Sequence, residues 1–293
     1  MAECSSYNKV KMRKKGKLFG GNLIGLTLIM MLLNAFSVCA AKSEAKRSMP
    51  KKEFEKGVII TITYDNNPYY PGLRPDWGFS CVVRLREKAI LFDTGGDGSI
   101  LLRNMEALGI DPKTIHMVVL SHIHGDHVGG LASFLKRNRD VTVYMPISFP
   151  RRLKDTVRLS GARLKEVDEA KEILEGAFTT GELDGGIKEQ SLAVRTSQGL
   201  VVVTGCAHPG VVKIIQKAKE IDKTRVHLVM GGFHLGGASA SKIESIIENF
   251  VEMEVEKVGP CHCSGDLARS LFKKRFGLNY IECGVGMEIR ILK

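Results

Sequence analysis

From Gly57 onward the chain alternates between short runs with a period of two and longer runs with helical spacing. "GVIITITY" (57–64) is rich in Ile and Thr and predicts a strand. "SCVVRLREKAILFDTGG" (80–96) predicts two strands joined at Glu87-Lys88, and "SILLRNMEAL" (99–108) a helix stopped by Gly109. "HMVVLS" (116–121) has the unbroken apolar character of a buried strand, "HVGGLASFL" opens a helix, and "VTVYM" (141–145) is the next strand. The second half repeats the theme. "QSLAVRTSQGLVVVTG" (190–205) predicts a hairpin turning at Ser197–Gly199, and "PGVVKIIQKAKEI" (209–221) a helix with Pro early, where its missing N–H costs nothing. Strands over 225–232 and 256–260, helices over 239–253 and 264–277, and a closing strand over 280–291 complete the pattern. Strands followed by helices, twice over, imply two sheets packed face to face with helices outside: an α/β, four-layer αββα domain over 57–293 with its site at the strand ends.

The first 56 residues have a different texture. Lys9, Lys11, Arg13, Lys14, Lys15 and Lys17 precede the uncharged run "LFGGNLIGLTLIMMLLNAFSVCAA" (18–41), and a charged linker occupies 42–56. A cationic flank, an apolar run and small residues at its end form the pattern of a secretory signal. Val38 and Ala40 suit cleavage after Ala40, and the run is also long enough for an uncleaved membrane anchor of ~20 residues. The expectation is an exported or N-terminally anchored protein that meets a membrane only through this segment.

That segment also changes the meaning of the net charge of +11. Residues 1–52 hold eleven Lys/Arg against two acids, leaving 32 against 30 for the rest. A nearly neutral domain lacks the basic face that nucleic acid demands, which argues against a nuclease. Without Cys4 and Cys39 the domain keeps Cys81, Cys206, Cys261, Cys263 and Cys283, an odd number that cannot all pair. Cys81 and Cys283 sit in apolar runs as small buried residues, and Cys261 and Cys263 lack the second pair a zinc knuckle needs.

The chemistry concentrates in "SHIHGDHVGG" (121–130), which holds three of the eight histidines. On an extended segment His122 and His124 point the same way, and Asp126 and His127 follow just past Gly125. Imidazole with carboxylate is a donor set for zinc, and also for manganese or iron. Two ions ~3.5–4 Å apart can activate water and polarise one substrate oxygen. His208, His234 and His262 each follow a predicted strand, where α/β proteins build their sites. His116 and His227 begin or lie within strands and fit structural or surface roles.

Residues 57–293 resemble the metallo-β-lactamase superfamily. "LFDTG" with Asp93 is similar to its first motif and "HIHGDH" (122–127) to its H-x-H-x-D-H signature. "DWGFS" (76–80), "EQSLAVRTSQGLVVVTGCAHPG" (189–210), "VMGGFHL" (229–235) and "GPCHCSGD" (259–266) resemble the branch of 7,8-dihydropterin-6-yl-methyl-4-(β-D-ribofuranosyl)aminobenzene 5′-phosphate synthases. The resemblance implies an αββα fold, one or two divalent metals, most simply Zn2+, and His122, His124 and His208 around one ion with Asp126, His127 and His262 around the other. Asp126 would also accept a proton, and Asp93 would orient a ligating imidazole. Two departures stand out. Glu189 is the nearest donor where the superfamily carries a histidine before the "SLAV" hairpin. Cys206 follows Gly205 where it carries a bridging aspartate, making Cys206 a thiolate candidate. His234 is open as a ligand or a substrate contact.

Trp77 and Phe79 are candidates to stack on a flat heterocycle such as a pterin, with core packing as the alternative. Arg151 and Arg152 open the basic run "PRRLKDTVRLSGARLK" (150–165), suited to an anionic substrate or simply to a solvated helix face. The expected function is a metal-dependent enzyme acting on a small, pterin-like or phosphorylated molecule: a transferase of the resembled branch, or a hydrolase of phosphoesters, lactones or thioesters. The alternative from another class is a non-catalytic protein that holds metal or pterin.

Overall fold

Alternation along Val58–Asp65 (β1) points Val58, Ile60 and Ile62 into one core, and a bulge between Ile62 and Tyr64 then sends Tyr64 to the opposite face. The same two-sided burial recurs at Gly199–Thr204 (β10), where Val201 and Val203 face one core while Leu200 and Val202 face another. A strand covered on both faces reads as a continuous apolar run, which is why "GLVVVT" lacks polar positions before its final Thr204.

The computed structural model describes residues 57–292. The segments 1–41 and 42–56, expected to be signal or anchor and linker, lie outside them. Among the described residues no helix is long and apolar enough to cross a membrane.

Phe79–Leu85 (β2) and Lys88–Phe92 (β3) follow β1, then helix α1 (Gly98–Ala107), β4 (Met117–Val119), a single turn α2 (Gly125–Val128) and α3 (Leu131–Arg137). β5 (Thr142–Pro146), α4 (Arg151–Ser160), β6 (Arg163–Val167), β7 (Glu169–Leu174), β8 (Ala177–Gly181) and β9 (Leu192–Thr196) lead to β10. The chain closes with α5 (Val211–Ile221), β11 (Val226–Gly232), α6 (Ala240–Glu252), β12 (Lys257–Cys261), α7 (Asp266–Phe276) and β13 (Glu288–Ile291).

One sheet has the order β13-β1-β2-β3-β4-β5-β6, the other β12-β11-β10-β9-β8-β7. Each is antiparallel at one end and parallel at the other, with β3 to β6 parallel in the first and β10 to β12 in the second. Residues of both sheets, including Phe79, Phe92, Leu192 and Met230, form the central core. Ile100, Leu101 and Phe134 from α1 and α3 pack on the outside of the first sheet, and Ile214, Ile247 and Phe272 from α5, α6 and α7 on the outside of the second. The layers are αββα.

Several local expectations are corrected. The β2–β3 turn falls at Arg86-Glu87, one residue early, with Arg86 at φ 54°. The helix expected from His127 onward begins at Gly125 and breaks at Gly129-Gly130, because Gly130 N–H bonds the Gly95 carbonyl instead of continuing the helical ladder. Pro209 precedes α5 rather than opening it, and Gly210 takes the cap position. The closing strand is only four residues long, since the preceding segment passes beside Asn67, which accepts the Val285 N–H.

Candidate metal centre

Asp93 leaves β3 with φ 55° and buries its carboxylate beneath the end of β4. Its Oδ1 accepts from Ser121 N at 2.6 Å, and its Oδ2 accepts from Ser121 Oγ at 2.6 Å and lies 2.7 Å from His127 Nδ1. These bonds fix the loop that carries the ligand candidates. Extended geometry puts His122 Nε2 3.1 Å from His124 Nδ1, and the turn of α2 then swings Asp126 and His127 toward the second sheet. His127 Nε2 lies 3.2 Å from His262 Nε2, 3.2 Å from Cys206 Sγ and 3.7 Å from Asp126 Oδ2. Asp126 Oδ2 is 3.3 Å from His262 Nε2.

The second sheet supplies its donors from the ends of its parallel strands. After β10 the segment Gly205–His208 wraps around Glu189: Oε1 accepts from the amides of Gly205, Cys206 and Ala207, and Oε2 from that of His208, at 2.9–3.2 Å. The next residue, Gln190, reaches the other sheet. Its amide donates to Ser121 O and its side chain to Leu120 O, both at 2.9 Å. The sheets approach so closely here that a Cβ on Gly205 would sit 2.1 Å from Ser121 Oγ. His262 follows β12 at φ 48°, and its Nδ1 lies 2.9 Å from Asn66 Oδ1, leaving Nε2 to face His127 and Asp126.

Among the described residues four groups of donor atoms result, each within 4.8 Å internally, and three of them involve the histidines of the 122–127 segment: His122, His124 and His208; His122, His127 and Cys206; and Asp126, His127 and His262. Burial and the surrounding imidazoles push His122 far below its ordinary value, and burial with His234 and His124 lowers His208 to about 4, so both present neutral nitrogens. Burial opposes charge on His127, yet Asp93 outweighs it and raises that imidazole. Burial likewise opposes ionisation of Asp126, but His262 and His127 hold its carboxylate at about 2. Cation ligands must be deprotonated, and the neutral His122 and His208 and the ionised Asp126 meet that condition. His208 Nε2 is moreover buried with no hydrogen-bond partner, a cost that coordination would remove. The donors fit divalent metal ions.

The other candidates sort clearly. Asp93 touches Ser121 and His127 and belongs to no donor group. Glu189 is corrected: a carboxylate whose two oxygens are occupied by four amides is an anchor for the 205–208 segment, not a ligand. Of the two alternatives for Phe79, core packing is the one found: it is fully buried in the central core against Phe92 and unavailable to a substrate. Trp77 is 57% exposed with its ring 4.9 Å from His262. Arg151 is solvent-facing and pairs with Asp155 on α4, whose neighbours Lys154 and Arg158 bind Glu166; Arg152 is exposed on the same turn. Neither arginine belongs to the histidine cluster's contacts among the described residues. His234 is exposed, its ring 4.3 Å from that of His208. The positioning roles of Ser121, Gln190 and Asn66 escape a reading of the sequence, because hydroxyl and amide side chains carry no spacing signal.

The sequence matches the metallo-β-lactamase superfamily over residues 74–215. It is 28% identical over 281 residues, covering 79% of this chain and 96% of the relative, to the 7,8-dihydropterin-6-methyl-4-(β-D-ribofuranosyl)-aminobenzene-5′-phosphate synthase of Methanocaldococcus jannaschii. A crystal structure described as a metal-dependent hydrolase of the β-lactamase superfamily, Tm1679, superposes with a TM-score of 0.68 at 30% identity, over 80% of this chain and all of that one. The short form of human tRNase Z shares the fold at 15% identity and a TM-score of 0.54, over 79% of this chain and 98% of its own.

Proposed function

This chain belongs to the metallo-β-lactamase superfamily, and from that premise we propose that it is a metal-dependent enzyme joining a dihydropterin, through its 6-methyl carbon, to an aminobenzene ribofuranosyl phosphate. The observation that carries the metal dependence is the buried, unpartnered His208 Nε2 beside His122 and His124. The likeness to the M. jannaschii synthase across nearly its whole length supports the substrate class.

In this reading His122, His124 and His208 hold one divalent ion and Asp126, His127 and His262 the other, with zinc the leading identity and Mn2+ or Fe2+ the alternatives. Cys206 stands between the two groups. The chemistry such ions supply when bound is Lewis acidity, which activates water and steadies negative charge on a leaving oxygen. The chain's own residues do the rest. Trp77 offers an exposed face for the flat pterin, and Asp126, held ionised, accepts the proton lost by the incoming amine. Asp93 and Asn66 fix the rings of His127 and His262.

Hydrolysis is the second reading, favoured by the likeness to the metal-dependent hydrolase. Purified protein with a dihydropterin bearing a leaving group on its 6-methyl carbon, with and without the aminobenzene ribofuranosyl phosphate, separates the two by mass spectrometry. A coupled product only with the acceptor supports the transferase; release of 6-hydroxymethyl dihydropterin at the same rate either way supports the hydrolase. Elemental analysis of wild type, His122→Ala and His208→Ala tests the metal itself, and stoichiometric metal in both variants would sink the ligand assignment.

A further inference from the structure

One group of donors includes two side chains, His234 and Cys263, that hold no metal in that scheme. Cys206, His234 and Cys263 bring their ligand atoms within 4.8 Å of one another, and Cys263 is the cysteine among the five described that is not fully buried. We propose that these three side chains form a further cation site beside His208, joined to the larger centre through Cys206 and selective for a soft, thiolate-binding ion such as Zn2+, Cd2+ or Cu+ over Mg2+ or Mn2+. The proposal does not depend on the histidine groups holding metal.

The placement is a consequence of the parallel strands. Each donor stands two residues beyond the end of its strand: Cys206 after Thr204, His234 after Gly232, Cys263 after Cys261. The three strands are neighbours in the order β12-β11-β10, and Gly232 pairs with Cys261 while Thr204 pairs with Gly231. Adjacent strands run ~4.8 Å apart, which sets His234 between its two neighbours; the segments beyond β10 and β12 then close over Gly232, so that Cys263 Sγ lies 3.7 Å from the Cys206 carbonyl oxygen.

Two local features keep the donors there. A Cβ on Gly232 would lie 2.7 Å from Cys263 Sγ and 3.2 Å from Cys206 Cα, so the thiol occupies space that only glycine leaves free. His234 holds φ 53°, a left-handed conformation unfavourable for a residue with a Cβ. It does so with an exposed imidazole, which leaves the site an open side for a fourth ligand from solvent. Two thiolates and one imidazole with an open position form a donor set that zinc accepts, and soft sulfur ligands disfavour Mg2+ and Mn2+. Cys206 also lies with His122 and His127, so an ion bound here shares a ligand with the larger centre.

Titration of the reduced, full-length protein with Co2+ under argon tests the site through absorption, independently of turnover. The expected result is a near-ultraviolet thiolate-to-cobalt band that persists in His122→Ala, survives excess Mg2+ and falls by about half in Cys263→Ser. His234→Ala, at an exposed side chain, weakens Co2+ binding at that band at least about tenfold with unchanged unfolding. If Cys263→Ser fails to fold, the His234→Ala titration decides alone. Co2+ bound by the histidines with no thiolate band would overturn the proposal and spare the catalytic reading. A band unaltered in both variants would also overturn it, by leaving Cys206 as the single sulfur ligand. No binding of Co2+ at all would defeat both readings together.

Discussion

The two rims that meet at the histidines hold their donors by opposite means. On the first sheet the side chains themselves are gripped: Asp93 bonds His127 directly and fixes Ser121 beside His122. On the second sheet the grip falls mainly on the main chain, with Asn66 holding the His262 ring as the exception. Glu189 binds four successive amides from Gly205 to His208, and Ala207, His234 and His262 stand in the left-handed region. Side-chain clamps tune the orientation of one ring; a main-chain clamp decides whether the loop exists at all. The second rim is therefore where a single lost carboxylate does most damage to folding, and the first where it does most damage to ligation.

Glu189→Ala breaks the second rim. Burial pushes this carboxyl up in pKa while its amide partners pull it down, so the group is both costly to bury and heavily used. Its loss leaves four buried donors without acceptors, at ~1–3 kcal/mol per unsatisfied group before water or relaxation intervenes. A destabilisation of at least about 3 kcal/mol is expected in urea unfolding. Glu189→Gln, which keeps one acceptor oxygen, should lose about half as much. Less than about 1 kcal/mol in the alanine variant would show that the 205–208 loop stands without its clamp.

Asp93→Asn breaks the first rim more gently. The amide retains an oxygen but presents an NH2 to one of its former donors, so His127 loses its orientation. Such partners are worth ~10–100-fold in metal affinity. The expected signature is selective: elemental analysis after dialysis finds metal lost at the Asp126, His127 and His262 group, while the group of His122, His124 and His208 keeps its ion. Equal loss from both groups would erase the distinction between the rims.

That asymmetry also governs what the sequence disclosed. The first rim was legible because its donors lie within six residues on one extended segment, and period-two geometry alone brings His122 and His124 together. His208 and His262 were legible as histidines that follow strands. The anchoring role of Glu189 was not, because a carboxylate next to a hairpin reads as a ligand until its hydrogen bonds are seen. At Phe79 the sequence left stacking and core packing open, and only the alternation of β2, which turns it inward while Trp77 stays exposed, decides between them. Among the strands, the central ones were plain, whereas β6, β7 and β8 went unread. β6 and β7 are edge strands, "RLKEV" and "EAKEIL". Charge that protects an edge from pairing with other chains also removes the apolar signal by which strands are recognised.

Ala207→Gly relaxes the second rim without removing a contact of its side chain with the donors. Ala207 sits at φ 61°, and the left-handed conformation costs ~1–2 kcal/mol in a residue with a Cβ. Glycine regains that but loses ~0.4–1 kcal/mol through the greater freedom of the unfolded chain and a further ~0.8 kcal/mol for the methyl group that Ala207 buries in the outer core of the second sheet. A net change near zero in thermal unfolding is expected, with metal content unchanged. Glu254→Gly, at φ 56° on an exposed residue just past α6 and away from the donors, is the control without a buried side chain. A gain at Glu254 but a loss at Ala207 would mean that Ala207 is held by packing of its methyl group rather than by the clamp.

A pH-dependent effect concerns the tie between the rims. Glu182 follows β8 on the second sheet, accepts from Ser148 N beyond β5 on the first, and pairs with Lys188 at 2.9 Å, next to the clamp itself. Burial raises its carboxyl, but the bonds from Ser148 and Lys188 outweigh this and hold it below the ordinary glutamate value. A folded-state value below the unfolded one of about 4.3 means the tie contributes fully above that pH and fades as pH falls through the folded value. Lys188 is half-exposed, so screening limits the contribution to about 0.5–1 kcal/mol. Glu182→Gln should therefore destabilise the protein by that amount in urea at pH 7 and by almost nothing near pH 3. A penalty that persists undiminished into acid would mean that shape at the Ser148 junction, rather than charge, joins the rims.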